Sequence, residues 1–223
     1  MFEYLMPFLF MPSADGSLLG VSAKSVIRAQ IRAAARTGKP WGVSECAYHA
    51  FDHDLNYQYR AFGVSALAIS DSSDGNVVSP YAACLALCAE PRRAAENLLA
   101  LSGEGLRGEY GFYESKDYQN GDAGDVVFCY MSHHQGMALC ALANALTGRR
   151  ISEIFMSGAR ERALETLLNE KPFARPRLFG ATEAKPAAPE ALRAKNTLSD
   201  MARTVRGSSR HDGMILFGGD STA

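Results

Sequence analysis

Residues 40–64 read PWGVSECAYHAFDHDLNYQYRAFGV. The run sets one Trp, one Glu, two Asp, two His, an Asn, a Gln and an Arg among several Tyr and Phe. It has neither the 3.6-residue period of an amphipathic helix nor the alternation of a half-buried strand, so it reads as a long loop between helices. Flat aromatics beside carboxylate, amide and guanidinium groups suit a sugar, whose ring has apolar C–H faces and a rim of hydroxyls that need donors and acceptors. The plainer reading of the same residues is an inter-helix loop whose polar groups satisfy one another.

Helical patterns flank this stretch on both sides. Phe2–Met11 reads as a short apolar helix. Ser22–Arg36 reads as a longer one, with Ser22 as its cap, Val26, Ile27, Ile31 and Ala34 as its apolar stripe, and Gly38 and Pro40 as its stop. Ser79 and Pro80 open a helix through Ala89, and Pro91 opens another that ends at Gly103 and Gly105. In Ser132–Thr147 the pair Ser132 and Gln135 has capping-box spacing, and Met137, Leu139, Leu142, Ala143 and Leu146 form the predicted buried stripe. Arg160–Glu170 supplies one more amphipathic helix.

Residues 106–125 break the pattern again and contain GEYGFYESKDYQNGD, a second segment that mixes aromatics with carboxylates. The fold predicted from this order is all-α: helical hairpins whose two long loops meet at one end of a partial helical barrel. Pro, Ala, Lys and Glu dominate beyond Pro172, which predicts a domain over 1–171 and a linker over 172–212. A following β-rich domain would start at 213–223 with the short apolar strand Met214–Phe217.

Composition narrows the function classes. Of 223 residues, 47% are hydrophobic and 21% charged, which is globular, and the formal net charge of -1 gives no electrostatic reason to bind nucleic acid or an anionic membrane. The five cysteines lack CxxC spacing and read as buried thiols in a reducing compartment; no metal site or cofactor is expected. The apolar start MFEYLMPFLFMP carries Glu3, is interrupted by Pro7 and Pro12, and is too short to span a bilayer.

Six motifs, FEYLMP (2–7), PWGVSECAY (40–48), LNYQYRAFGV (55–64), SPYAACLAL (79–87), YGFYESKDY (110–118) and MSHHQGMAL (131–139), resemble in order and spacing the glucoamylase-like domain of bacterial cyclic β-1,2-glucan synthases, over roughly residues 1–171. The resemblance implies an (α/α)6 barrel, related to endo-β-1,2-glucanases, that cuts and rejoins linear β-1,2-glucan to close a ring. It also implies neighbouring synthase domains and a soluble segment held at the cytoplasmic side of the inner membrane. FEYLMP falls well inside the family domain, so an upstream barrel segment is an expected partner. Cys46, His49 and Ser65 depart from the residues usual in the family.

Glycosidic cleavage uses two carboxyl groups, about 5 Å apart in retaining and about 6.5–9.5 Å apart in inverting enzymes, and a ring closure that keeps the β-linkage implies the retaining kind. Glu45 is the first candidate, flanked by Ser44 and Cys46, with Trp41 and Tyr48 as walls that would raise its pKa. By resemblance the second carboxylate lies upstream, with Glu114 as the candidate within the chain and Glu3 the next. Tyr57, Gln58, Tyr59 and Arg60 would grip and stack on the sugar, with His133, His134 and Gln135 closing the other side. Glu3, Tyr4, Trp41, Tyr48, Asp52, Asn56 and Tyr113 complete the expected substrate-binding set. Arg60 alternatively forms a buried salt bridge with Asp52 or Glu114. Two other functions fit less of the sequence: a non-catalytic glucan-binding or structural fragment, and a free-standing β-1,2-glucanase.

Overall fold

The computed structural model describes residues 1–67 and 76–172. Its helices are α1 (Phe2–Leu5), α2 (Leu18–Thr37), α3 (Pro80–Leu85), α4 (Pro91–Leu101), α5 (Ser132–Thr147), α6 (Arg150–Phe155), α7 (Ala159–Ala163) and α8 (Glu165–Leu168). The all-α expectation is overturned, because seven strands form three antiparallel sheets among the described residues. Residues 40–64 do not loop between helices: β1 (Cys46–Phe51) and β2 (Tyr57–Arg60) fold them into a hairpin. Residues 106–125 are no open loop either, since β4 (Arg107–Gly108) pairs with β5 (Gly111–Phe112), and β6 (Ser115–Asp117) lies between β3 (Val77–Val78) and β7 (Asp125–Val127). The expected linker beyond Pro172 and the strand at 214–217 lie outside the described residues, as does most of the polar turn at 71–76.

The helix ends follow the local chemistry. Ser17, not Ser22, caps α2, its hydroxyl oxygen accepting the Gly20 N–H at 3.0 Å, and Gly38 ends the helix at φ 67°. Ser79 stands at the cap position of α3, but its hydroxyl donates to the Glu114 carbonyl instead. Ser132 opens α5 without capping it, and Gln135 Nε2 donates to the Phe112 carbonyl at 2.9 Å, so the predicted capping box is absent. The stripe predicted for α5 holds only in part: Met137 packs against the core, but Leu139 and Leu146 are 68% and 83% exposed, and the buried residues of the helix are His134 and Ala141. The predicted helix 160–170 is broken into α7 and α8 at Leu164.

α3 is buried along its whole length and packs against α4 and α5. The main core gathers Leu5, Leu9, Ile27, Trp41, Tyr81, Leu85, Leu101 and Leu106, and each fully buried large apolar side chain contributes about 1.5–3 kcal/mol. A smaller cluster of Cys46, Phe62 and Val77 underlies the hairpin.

β6 holds Ser115, Lys116 and Asp117, all buried. Two of its side chains sew it to the β1 backbone: Ser115 Oγ donates to the Ala47 carbonyl, and Asp117 Oδ2 accepts the His49 N–H at 3.0 Å. The Lys116 ammonium reaches the Glu104 carboxylate and, at 2.9 Å, its carbonyl. This hydrogen bond holds the Glu104 carboxyl below the usual glutamate range. Because the folded value is depressed, the stabilisation is present above the ordinary glutamate range and is lost as pH falls through the folded value. The Glu104 side chain is 37% exposed, so screening limits the pair to about 1 kcal/mol. Urea unfolding of Glu104→Gln against wild type is expected to show that difference at pH 7 and to see it shrink as the pH falls below the ordinary glutamate range; a gap that does not shrink in acid would refute the assignment.

Candidate functional site

The approach to β1 is held backbone group by backbone group. Asn97, buried on α4, accepts the Trp41 N–H at 3.0 Å and donates to its carbonyl at 2.7 Å. Gln30, buried on α2, treats Val43 the same way, at 3.0 and 2.7 Å. The Ser79 N–H donates to the Gly42 carbonyl at 3.0 Å; Gly42 has φ 134°, and a Cβ there would stand 2.9 Å from the Ser79 oxygen. Ser44 Oγ accepts the Phe2 N–H at 3.1 Å, and the Tyr81 hydroxyl lies 2.9 Å from both Ser44 Oγ and the Glu45 carbonyl. These contacts deliver Glu45 to the start of the hairpin on a fixed backbone.

The Glu45 side chain is half-buried. Its Oε1 accepts the Tyr59 hydroxyl at 3.1 Å, and Oε2 has no hydrogen-bond partner among the described residues. Tyr59 stands opposite Ala47 in the β1–β2 register, which aims it back across Glu45. The same hydroxyl is 3.4 Å from His134 Nε2. On its other side His134 places Nδ1 2.8 and 2.9 Å from the two Glu114 oxygens, and both side chains are 1% exposed. Glu114 Oε1 also accepts the Ala47 N–H at 3.2 Å, and the Tyr81 ring stacks on His134 with centroids 3.7 Å apart. Burial and the nearby Glu45 carboxylate push the Tyr59 phenol well above the usual tyrosine range, so it remains a donor. Burial pushes the Cys46 thiol up as well, with Glu114 adding to the shift, which makes Cys46 a packed group and not a nucleophile.

The structure therefore gathers Glu45, Tyr59, His134 and Glu114 and places the other expected site residues around or away from them. His133 turns outward, its ring 6.3 Å from that of Tyr59; partial burial and the neighbouring His134 hold its imidazole below the usual histidine range. It can thus both donate and accept at neutral pH. Gln135 and Tyr113 line, with Tyr81, Glu114 and His134, a cavity of about 200 Å3. Trp41 is in the main core and 7% exposed. Tyr48 donates to Gln58 Oε1 at 2.6 Å, and the Tyr57 ring lies tilted against that of Phe51 with centroids 4.6 Å apart.

Arg60 is exposed 5.8 Å from the Phe62 ring, and no ion pair joins it to Asp52 or Glu114 among the described residues. Asp52 shapes the hairpin tip: its Oδ1 accepts the Asp54 and Asn56 N–H groups at 2.9 Å each, and the bond from Asn56 is the main reason its carboxyl sits below the usual range. Glu3 and Tyr4 are exposed on α1. Sequence reasoning missed Asn97, Gln30 and Tyr81; a polar residue on the apolar face of a helix was the available signal for the first two. No cluster of three or more His, Cys, Asp or Glu suited to a metal occurs among the described residues, and none of their helices is long and apolar enough to cross a membrane.

Removing the Glu114 carboxylate strands two buried donors, the His134 Nδ1–H and the Ala47 N–H, at a cost of about 1–3 kcal/mol each. Glu114→Ala is expected to lose that much in urea unfolding, whereas Glu45→Gln, which keeps an acceptor for Tyr59, is expected to change by less than about 1 kcal/mol. Equal losses would mean that Glu45 too is a structural charge.

Residues 1–159 match the protein-family model described as “Putative glucoamylase”. The cyclic beta-(1,2)-glucan synthase NdvB of Rhizobium meliloti is 39% identical over 198 residues, covering 86% of this chain and 7% of the synthase. Among solved structures, a “putative glucoamylase” of Bacteroides caccae superposes with a TM-score of 0.52 at 19% identity, over 75% of this chain and 40% of that one. The beta-1,2-glucanase of Parabacteroides distasonis does so with 0.53 at 18% identity, over 75% of this chain and 24% of that one. At these identities the two structures show a shared fold. The chain spans less than half the length of each of these relatives.

Proposed function

The chain belongs to the Glycoamylase family, and from that premise we propose that it supplies part of the catalytic site of a protein acting on β-1,2-glucan, with Glu45 as the carboxyl that exchanges a proton with the glycosidic oxygen. The observation that carries this reading is the contrast between the two central carboxylates. Glu114 has both oxygens committed to buried donors. Glu45 is anchored through one oxygen, keeps the other open, and stands beside an exposed face with Tyr59 and His133. Protonating a leaving oxygen requires such a group: fixed in place, yet able to reach substrate.

Around it, Tyr57, Gln58 and Arg60 offer a ring face, an amide and a guanidinium to the sugar, and His133 a donor and an acceptor. The reaction proposed is cleavage and transfer that closes the glucan into a ring with retention, as one part of a larger, membrane-anchored synthase at the cytoplasmic face. The second carboxyl would come from Glu3 or from the remainder of the domain, of which the relatives hold far more than this chain does.

The test incubates linear β-1,2-glucan with two proteins, the chain itself and the Rhizobium meliloti synthase with its matching segment exchanged for this chain, each with and without Glu45→Gln. Products are read by mass spectrometry. Cyclic or shortened glucan in the exchanged protein, reduced at least ~100-fold by Glu45→Gln, is the expected result. Unaltered glucan with both proteins would overturn the catalytic reading in favour of binding or a structural role.

A further inference from the structure

We propose that Tyr59 is a positioning residue whose hydroxyl alternates between Glu45 and His134 as Glu45 gains and loses its proton, and that Glu114 makes this possible by fixing the His134 tautomer. The proposal rests on the reading of Glu45 as an acid–base group, because only such a group must be held equally well in two protonation states.

The argument is one of donors and acceptors. An ionised carboxylate only accepts, so Glu114, with both oxygens within 2.9 Å of His134 Nδ1, requires the proton on Nδ1. In the neutral ring Nε2 is then a lone pair, and it faces the Tyr59 oxygen at 3.4 Å. Tyr59 owns one proton and has two acceptors to choose from, Glu45 Oε1 at 3.1 Å and His134 Nε2.

When Glu45 is a carboxylate, the hydroxyl points to it. When Glu45 is a carboxylic acid and no substrate oxygen faces it, its proton rests on Oε1 and donates to the Tyr59 oxygen, and the Tyr59 hydroxyl turns to Nε2; when a glycosidic oxygen faces Oε2 the proton is held there instead, and Tyr59 donates to Oε1 again. No covalent bond to hydrogen forms or breaks at Tyr59 or His134 in this exchange; one hydrogen bond is redirected. Tyr59 remains a phenol throughout, as its raised pKa allows.

The groups that bear on this arrangement are Glu45, Ser44 and Cys46 at the start of the hairpin, the Met1 amine and Glu3 at α1, Tyr59 on β2, Tyr81 on α3, Glu114 before β6, and His133 and His134 on α5. Tyr81 stacks on the imidazole and keeps its plane constant, so the ring cannot swing away while the hydroxyl turns. Without His134 Nε2, the Tyr59 proton would lack a second acceptor in the described surroundings. The acid form of Glu45 would then lose its fixed partner.

The test is nuclear magnetic resonance of the full chain with 15N-labelled histidine, without substrate. In wild type the His134 ring is expected to carry its proton on Nδ1, and its Nε2 resonance to shift along the titration of Glu45. Tyr59→Phe is expected to abolish that dependence while leaving the proton on Nδ1. Glu45→Gln is expected to abolish the dependence in a chain that retains Tyr59. A ring proton on Nε2 in wild type would overturn the proposal, and so would an Nε2 signal that follows the same titration in Tyr59→Phe. These signals are read without glucan, so a chain that shows them and leaves β-1,2-glucan untouched sinks the substrate reading alone, whereas a chain that turns over glucan without them sinks the relay alone.

Discussion

The contact between Glu114 and His134 ties the hairpin to the helices. Two ionisable side chains at 1% exposure each have no access to water, and neither is tolerated there without the other. Satisfying them recruits four segments: the Ala47 N–H from β1, the Tyr81 ring from α3, His134 itself from α5, and Glu114 from the segment leading into β6. The Glu114 backbone is held in turn, its N–H donating to the Cys129 carbonyl and its carbonyl accepting from Ser79. A residue fixed at so many points serves as an anchor and contributes no motion.

From this anchor the position of Glu45 follows through two routes. Tyr81 stacks on the paired imidazole and carries its hydroxyl to Ser44 and to the Glu45 carbonyl. Ala47, two residues beyond Glu45, gives its N–H to the Glu114 carboxylate. Upstream, the amides of Asn97 and Gln30 close off the backbone at Trp41 and Val43. Each such bond contributes only about 0.5–1.5 kcal/mol net, but a buried peptide group left open costs about 1–3 kcal/mol. The stretch is therefore held chiefly by the penalty of any alternative.

The helices were legible because their signals are local. Gly38 and Gly148 stop α2 and α5 where a left-handed residue is needed, and Pro80 and Pro91 sit in the first turns of α3 and α4. The strands were not legible because their signal is held elsewhere in the chain. β6 is Ser-Lys-Asp, buried on both faces, and its stability comes from Ala47, His49 and Glu104, none of which is near it in sequence. The β1–β2 register is irregular between Tyr48 and Phe51, which erases the alternation a hairpin would otherwise print on the sequence. In α5 the leucines misled, since the inward face runs through His134, Met137, Ala138 and Ala141, and pattern reading ranks a histidine below a leucine. Within residues 40–64, the structure brings Glu45 and Tyr59 into contact, whereas it places Trp41 in the core and Asp52 in the hairpin turn.

Burial sorts the two central carboxylates by what each can do. An acid–base group must change charge during its work, and a change of charge inside a fully buried, fully paired environment carries the desolvation cost that the pairing exists to avoid. Glu114 is in that position, with both oxygens already paired to buried donors. Glu45 lies at the boundary, with one oxygen bound to a phenol that remains protonated and one open, so its charge can change while its place does not. Rigidity at Glu114 and adaptability at Glu45 are thus complementary, and the short path between them through His134 and Tyr59 is where the fixed part of the molecule meets the part that can respond.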